Sequence, residues 1–245
     1  MAPLCLEIVA TSGRCAERAT AAGADRVEAC QALELGGLTP SLEVLEMILE
    51  HAPARGVHAL LRHRPGNFHY DAEDRAVLVA QARSLARSGV HGLVLGALDA
   101  SGAVDSLCLQ EVTAAAFEVN PELEITFHRA IDEATDPLAI LDSLFALPVD
   151  RVLTSGGKES AVDGLAMIGR LAMRSAGQIQ IMAGGGMTAE AIAQAAAYGA
   201  SAVHFSAKQP WARTIGVDGE MVGLLRHSVD RAMSATAQLT SEETS

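Results

Sequence analysis

The chain has 245 residues, of which 49% are hydrophobic and only 3% are aromatic, and it carries a formal net charge of −12 at pH 7. This length suits one large domain that needs no disulfide or metal to fold, while the acidic balance disfavours nucleic acid as a partner. Without a membrane-length apolar stretch or a secretory leader, the sequence predicts a cytoplasmic protein that does not bind membranes.

Eight short apolar runs organise the chain, and polar residues or glycine close each of them. We predict them as the β-strands Leu4–Val9, Arg26–Cys30, Val57–Leu61, Gly92–Leu95, Glu124–Phe127, Arg151–Leu153, Ile179–Met182 and Ala202–Phe205. A helix-length stretch follows each strand, and the predicted helices are Ser12–Ala22, Ser41–Ala52, Ala72–Ser88, Asp105–Val119, Asp136–Ala146, Ala161–Ser175, Thr188–Tyr198 and Asp218–Met233.

Eight strand–helix units are the number that closes a TIM barrel. We therefore predict a single-domain α/β protein, a TIM (β/α)8 barrel, over residues 1–233 and a polar, disordered C-terminal tail over 234–245. An open doubly wound sheet is the alternative. It usually carries a Gly-x-Gly-x-x-Gly turn after its first strand, where this chain has Ala10-Thr11-Ser12-Gly13.

Polar side chains stand at the carboxyl ends of the predicted strands, where TIM barrels carry their chemistry. Because a charged group facing the helices would be buried without a partner, strand alternation turns these groups toward the barrel axis. The predicted catalytic cluster is Glu7, Glu28, Arg62 and His128. Two interpretations remain open: an ion cluster in which a glutamate pairs with Arg62, and a site where one group works as acid or base.

Glycines after strands six and seven suggest an anion site, because their backbone N–H groups can approach an anion closely. The loops after strands seven and eight often hold phosphate in this fold. The predicted anion-binding residues are Arg129, Ser155, Gly156, Gly157, Gly184, Gly185, Gly186 and Ser206. The alternative is that the glycines only permit tight turns.

The four cysteines are far apart, so we expect thiols rather than disulfides. Cys30 is placed at a strand end facing the mouth of the predicted barrel, the opening at the carboxyl ends of its strands. Its thiolate would suit Cu(I) there. Equally, cysteine is often buried as a small apolar residue. His63 and His69 flank a loop after strand three that could close over the mouth.

Several segments together resemble the CutC family of copper homeostasis proteins over roughly residues 4–208. They are Leu6–Ile8, Gly23–Cys30, Leu33–Ser41, Gly96–Leu98, Thr126–Ala130, Leu153–Gly157, Ala183–Gly186 and His204–Ala207. The resemblance implies a TIM barrel, a cytosolic location, a homodimer or larger homo-oligomer, and copper handling with Cys30 as the Cu(I) ligand. It also implies a polar mouth cluster of Glu7, Glu28, Arg62, His128 and Ser155.

The loop after strand three departs from the family pattern, since Asn67 replaces an acidic residue and His63 is added. Two functions therefore stay open beside an inactive scaffold. One is Cu(I) binding through Cys30, with a second ligand from the mouth or a neighbouring subunit. The other is a lyase- or isomerase-like enzyme for a small phosphorylated or carboxylated metabolite, in which Glu28 or His128 moves a proton.

Overall fold

Eight parallel strands pair in chain order, and the first also pairs with the last, so the sheet closes into a barrel. The computed structural model describes residues 3–207 and 216–242, with side chains through residue 235. The strands are β1 Cys5–Ala10, β2 Arg26–Ala29, β3 Val57–Leu60, β4 Gly92–Leu95, β5 Glu124–Phe127, β6 Arg151–Thr154, β7 Gln180–Gly184 and β8 Ala202–Phe205. This topology confirms the predicted TIM barrel.

The helices surround the barrel and alternate with the strands. They are α1 Gly13–Ala21, α2 Leu42–Leu49, α3 Ala72–Arg87, α4 Ser106–Phe117, α5 Pro137–Leu144, α6 Leu165–Ser175, α7 Ile192–Ala197 and α8 Gly219–Glu242. The stretch predicted as a polar tail overlaps α8 through Glu242, and its last residues, 243–245, lie outside the described residues. None of the helices in the described ranges is long and apolar enough to cross a membrane.

Side-chain caps fix where several helices begin. The Asp136 carboxylate accepts a hydrogen bond of 2.9 Å from the Leu138 N–H, and Pro137 occupies the first turn of α5. Helix α6 begins at Leu165, four residues later than predicted, because the preceding segment folds toward β7. There the Ala161 N–H donates to the Gly185 carbonyl oxygen at 2.6 Å instead of entering a helix.

Strand alternation divides each strand between two environments. Leu6 and Ile8 of β1 pack in the large apolar layer beneath the helices, while Cys5 and Val9 face the barrel axis. Near the amino ends of the strands, the axis is filled by the apolar cluster Cys5, Leu153, Met182 and Ala202.

Polar groups close the barrel at the amino end of β6. Arg151 is 2% exposed, and its guanidinium donates to Gln180 at 3.0 Å, to Thr126 at 3.1 Å and to Glu124 at 2.9 Å. This end of a TIM barrel contributes to stability, whereas the opposite end carries the chemistry. The functional site is therefore expected at the carboxyl ends of the strands.

Candidate functional site

A cavity of about 570 Å³ opens at the carboxyl ends of the strands, and we call it the mouth cavity. The predicted site residues on its wall are Glu28, Cys30, Arg62, His128, Arg129, Gly185, Gly186 and Ser206. The other predicted residues, which lie outside this wall, are Glu7, Ser155, Gly156, Gly157 and Gly184. Strand alternation thus brings most of the predicted groups to one place.

Glu7 is fully buried beneath the mouth cavity and has two charged or polar partners. One is the Arg26 guanidinium, which is 1% exposed and donates through Nε to the Glu7 carboxylate. The other is His204, whose Nδ1 lies 2.6 Å from Glu7 Oε1. The arginine that pairs with Glu7 is therefore Arg26, and the alternative pairing with Arg62 is not observed.

Glu28 lies between the buried Arg26–Glu7 ion pair and the mouth cavity. It is 6% exposed, and its Oε2 lies 3.9 Å from His204 Nε2, too far for a hydrogen bond. Burial raises the pKa of Glu28 to about 7, although the nearby His204 lowers it. Glu28 can therefore bind and release a proton near neutral pH.

Glu7 and His204, which lie next to Glu28, are instead stabilised in their charged forms. Burial opposes ionisation of Glu7, but Arg26 and His204 together hold the pKa of its carboxyl well below the usual range. Burial also opposes a charge on His204, yet the carboxylates of Glu28 and Glu7 raise the pKa of its imidazole. An ionised Glu7 thus holds His204 in place beneath Glu28.

Arg62 shapes the rim of the mouth cavity through backbone contacts. Its guanidinium donates to the carbonyl oxygens of Leu35 and Gly37, each at 3.1 Å, and of Gly66 at 2.7 Å. It also lies over the Phe68 ring, 5.0 Å from the centroid. Arg62 therefore ties the loops after β2 and β3 together rather than pairing with a carboxylate.

His128 is 5% exposed and is held on several sides. Its Nδ1 accepts the Ala130 N–H at 3.1 Å, and its ring centroid lies 4.6 Å from that of Phe68. A methyl group at Gly96 would come within 2.5 Å of Nδ1, so only glycine fits beside this ring. Burial, reinforced by the Arg62 charge, lowers the pKa of His128 to about 3.

Arg129 and the β7 loop form the cationic side of the mouth cavity. Arg129 donates to Asp132 at 2.9 Å and to Ser155 Oγ at 3.1 Å, while its side chain remains 43% exposed. Gly185 has φ +88° and lies so close that a methyl group there would be 2.7 Å from the Arg129 Cζ atom. A guanidinium thus lies directly against the glycine turn.

Asp132 organises the loop after β6, a role that the sequence analysis missed. Its carboxylate accepts from Thr154 Oγ1 at 2.5 Å and from the N–H groups of Ser155 at 2.9 Å and Gly157 at 3.0 Å. Since these N–H groups already donate to Asp132, they are not available to an anion in this arrangement. The spacing Arg129-x-x-Asp132, which permits an i,i+3 ion pair, was the available signal.

Arg26 is the second residue that the sequence analysis missed. It lies two residues before Glu28 on β2, so both side chains are on the same face of the strand. Arg26 is also in register with Glu7 on the neighbouring strand. A buried arginine on the inward face needs a buried anion, so the same argument that placed Glu28 would have placed Arg26.

Cys30 is fully buried on the mouth cavity wall and packs with Val9, Leu60 and Val94. Within the described residues, which include all four cysteines, none forms a disulfide. The described residues contain one group of at least three metal-ligating side chains within 4.8 Å of one another: Glu7, Glu28 and His204. Cu(I) prefers soft sulfur ligands, so this oxygen and nitrogen group does not fit it and Cys30 offers one suitable donor.

Comparisons with known proteins give a consistent result. The profile described as CutC family matches residues 4–209. A family protein CutC from Xanthomonas axonopodis pv. citri is 36% identical, with 95% of this chain and 99% of that protein covered. One from Citrobacter koseri is 42% identical, with 82% and 79% covered. A solved CutC structure from Streptococcus agalactiae, which carries a copper-homeostasis name, has a TM-score of 0.76 and 26% identity over 83% of this chain and 98% of that one.

Proposed function

The chain belongs to the CutC family, and on that premise we propose that it is an acid–base enzyme whose mouth cavity takes a small anionic metabolite. The observation that carries the proposal is Glu28. Its carboxyl is buried, faces a cavity of about 570 Å³ and has a pKa raised to about 7. A carboxyl group that titrates near the working pH is suited to general acid–base catalysis.

The buried Arg26–Glu7 ion pair beneath Glu28, together with His204, supports this assignment. Arg26 keeps Glu7 ionised, and Glu7 fixes the His204 ring through its Nδ1 at 2.6 Å. His204 Nε2 lies 3.9 Å from Glu28 Oε2, a separation that a substrate oxygen beside both atoms would bridge. Such a carboxylate–histidine arrangement holds a ring in one orientation.

An anionic group of the substrate would bind on the opposite side of the mouth cavity. Arg129 supplies a positive charge there, and the adjacent Gly185 and Gly186 turn has φ values of +88° and +72°. Glycine turns of this kind present backbone N–H groups to phosphate or carboxylate. The metabolite would then lie with its anion at Arg129 and its reacting part near Glu28.

We expect a small anion to stabilise the protein, and Arg129→Met to remove the effect. The probes are inorganic phosphate, 2-phosphoglycolate and oxalate, measured by thermal unfolding. At 100 times its Kd, a bound probe adds about 2.7 kcal/mol, which is a rise in Tm of roughly 5–10 °C. Arg170→Met on the exposed face of α6 is the control and should keep the full shift.

Thermal unfolding of Glu28→Gln at different pH values tests the raised pKa of Glu28. Folding raises the pKa of Glu28 from 4.5 to about 7, so the protonated form favours the folded state. This contribution is complete below pH 4.5 and is lost as the pH rises through 7. Glu28→Gln should therefore unfold at a higher temperature than wild type at pH 8 and lose that advantage at pH 4. Failure of all three probes to shift the Tm would argue against the proposal.

A second candidate function is Cu(I) binding at Cys30. It is supported by the position of Cys30 on the mouth cavity wall and by the copper-homeostasis name of the Streptococcus agalactiae relative. Competition with bicinchoninic acid would measure Cu(I) affinity. Cys30→Ser should weaken it at least about tenfold, which is about 1.4 kcal/mol, while Cys108→Ala, a buried cysteine on α4, should not. Equal affinity in the two variants would exclude Cys30 as the ligand.

A further inference from the structure

The two ring nitrogens of His128 have different surroundings. Nδ1 accepts a hydrogen bond from the Ala130 N–H at 3.1 Å. A neutral imidazole carries one proton, and a nitrogen that accepts a hydrogen bond does not hold it. The proton of His128 is therefore on Nε2, so this nitrogen is a donor.

The Nε2 donor has no hydrogen-bond partner among the residues that the structure describes, although it is buried. His128 is only 5% exposed and lines the mouth cavity. A buried donor without a partner destabilises the fold, and a ligand oxygen that accepted from Nε2 would remove this destabilisation.

The ring cannot turn easily to satisfy this donor. Phe68 packs against it at 4.6 Å between centroids, and Gly96 leaves no room for even a methyl group beside Nδ1. The charged groups around the ring are Arg62, Arg129 and Asp132, and together with burial they leave the imidazole neutral at pH 7. His128 is thus preorganised to donate a hydrogen bond, and it is not a base.

We propose that His128 Nε2–H polarises a carbonyl oxygen of the substrate, so the substrates are carbonyl compounds that exchange a proton at the adjacent carbon. The inference rests on the proposed acid–base function and deepens it, because it separates the roles of Glu28 and His128. Glu28 and His128 line the same cavity, so one substrate can reach both side chains.

The chemical step balances without any co-reactant. The Glu28 carboxylate takes a proton from the carbon next to the carbonyl, and the electron pair of the broken C–H bond moves to the carbonyl oxygen. The Nε2–H hydrogen bond strengthens as negative charge grows on that oxygen. Return of the proton from Glu28 to either face of the same carbon restores the carbonyl and gives the substrate or its epimer, with no net oxidation.

Proton exchange with solvent tests this assignment. The intact protein is incubated in D2O with dihydroxyacetone phosphate or 2-oxoglutarate, and loss of the C–H signal is followed by NMR. We expect protein-dependent exchange that falls about 10²–10³-fold in His128→Phe and less in His128→Gln, which retains an N–H donor. His227→Gln on the exposed face of α8 should leave the rate unchanged.

A measurement on the histidine itself makes the test independent of substrate choice. In ¹⁵N-histidine-labelled protein, the His128 signal, assigned through His128→Gln, should show a neutral ring protonated on Nε2 between pH 5 and pH 8. A ring protonated on Nδ1, or a charged ring at pH 6, would overturn the inference. So would binding of small anions without proton exchange on either ketone, an outcome that leaves the anion site of the proposed function intact.

Discussion

Glu7→Gln should lower the free energy of unfolding at pH 7 by about 3–5 kcal/mol, because it leaves a buried charge without its partner. Arg26 is 1% exposed, and its Nε donates to the Glu7 carboxylate. A neutral amide cannot compensate the guanidinium charge, and it also weakens the contact that holds His204. Urea unfolding of wild type and variant would measure the loss.

The double variant Glu7→Leu, Arg26→Met distinguishes a missing charge partner from general disruption. Removing both charges should cost less than removing Glu7 alone. Asp142→Asn, which breaks the exposed pair of Asp142 with Arg174, should have little effect. A double variant as unstable as Glu7→Gln would show that shape, rather than charge pairing, dominates at this site.

The Arg26–Glu7 ion pair should make the protein less stable as the pH falls. Folding lowers the pKa of Glu7, so its contribution is present above the ordinary carboxyl range and is lost as the pH falls below it. The difference in stability between wild type and Glu7→Gln should therefore shrink as the solution is acidified.

Gly164→Ala should destabilise the protein by about 3 kcal/mol or more, because the new methyl group has no space. It would lie 1.8 Å from the Ser155 carbonyl oxygen and 3.0 Å from the Gly156 Cα atom. These are backbone atoms of the β6 loop, so no side-chain rotation can relieve the overlap. The loop would have to move, taking with it the Ser155 hydroxyl that accepts from Arg129 at 3.1 Å.

The control for this variant is Gly223→Ala, on the exposed face of α8. A methyl group there meets nothing within 4 Å, and alanine favours a helix by roughly 0.5–1 kcal/mol over glycine. We expect a small rise in Tm for Gly223→Ala and a loss of folded protein or a large fall in Tm for Gly164→Ala. Similar stability of the two variants would contradict the close approach of α6 to the β6 loop.

Most of the fold could be predicted from the sequence because apolar runs of strand length alternate with helix-length stretches. Each strand lies within two residues of its predicted position. The start of α6 could not be predicted, since it depends on the Ala161–Gly185 hydrogen bond between distant segments. Local preference alone would have extended that helix.

The site was only partly predictable, for a related reason. Strand alternation shows which side chains point inward, and it correctly brings Glu28, Arg62 and His128 to one cavity. It does not show which inward groups pair, because pairing depends on the register between strands and on loop paths. Arg62 therefore binds loop carbonyls, and Arg26 takes the role of counterion to Glu7.

For the proposed enzyme, the closed amino end of the barrel restricts how substrate and product move. The apolar cluster around Met182 and the Arg151 network occupy the axis below Glu7. Within the described residues, this filled axis leaves the carboxyl end of the barrel as the way into and out of the mouth cavity. A bound product would block the next substrate, so the rate of product release would limit the turnover rate.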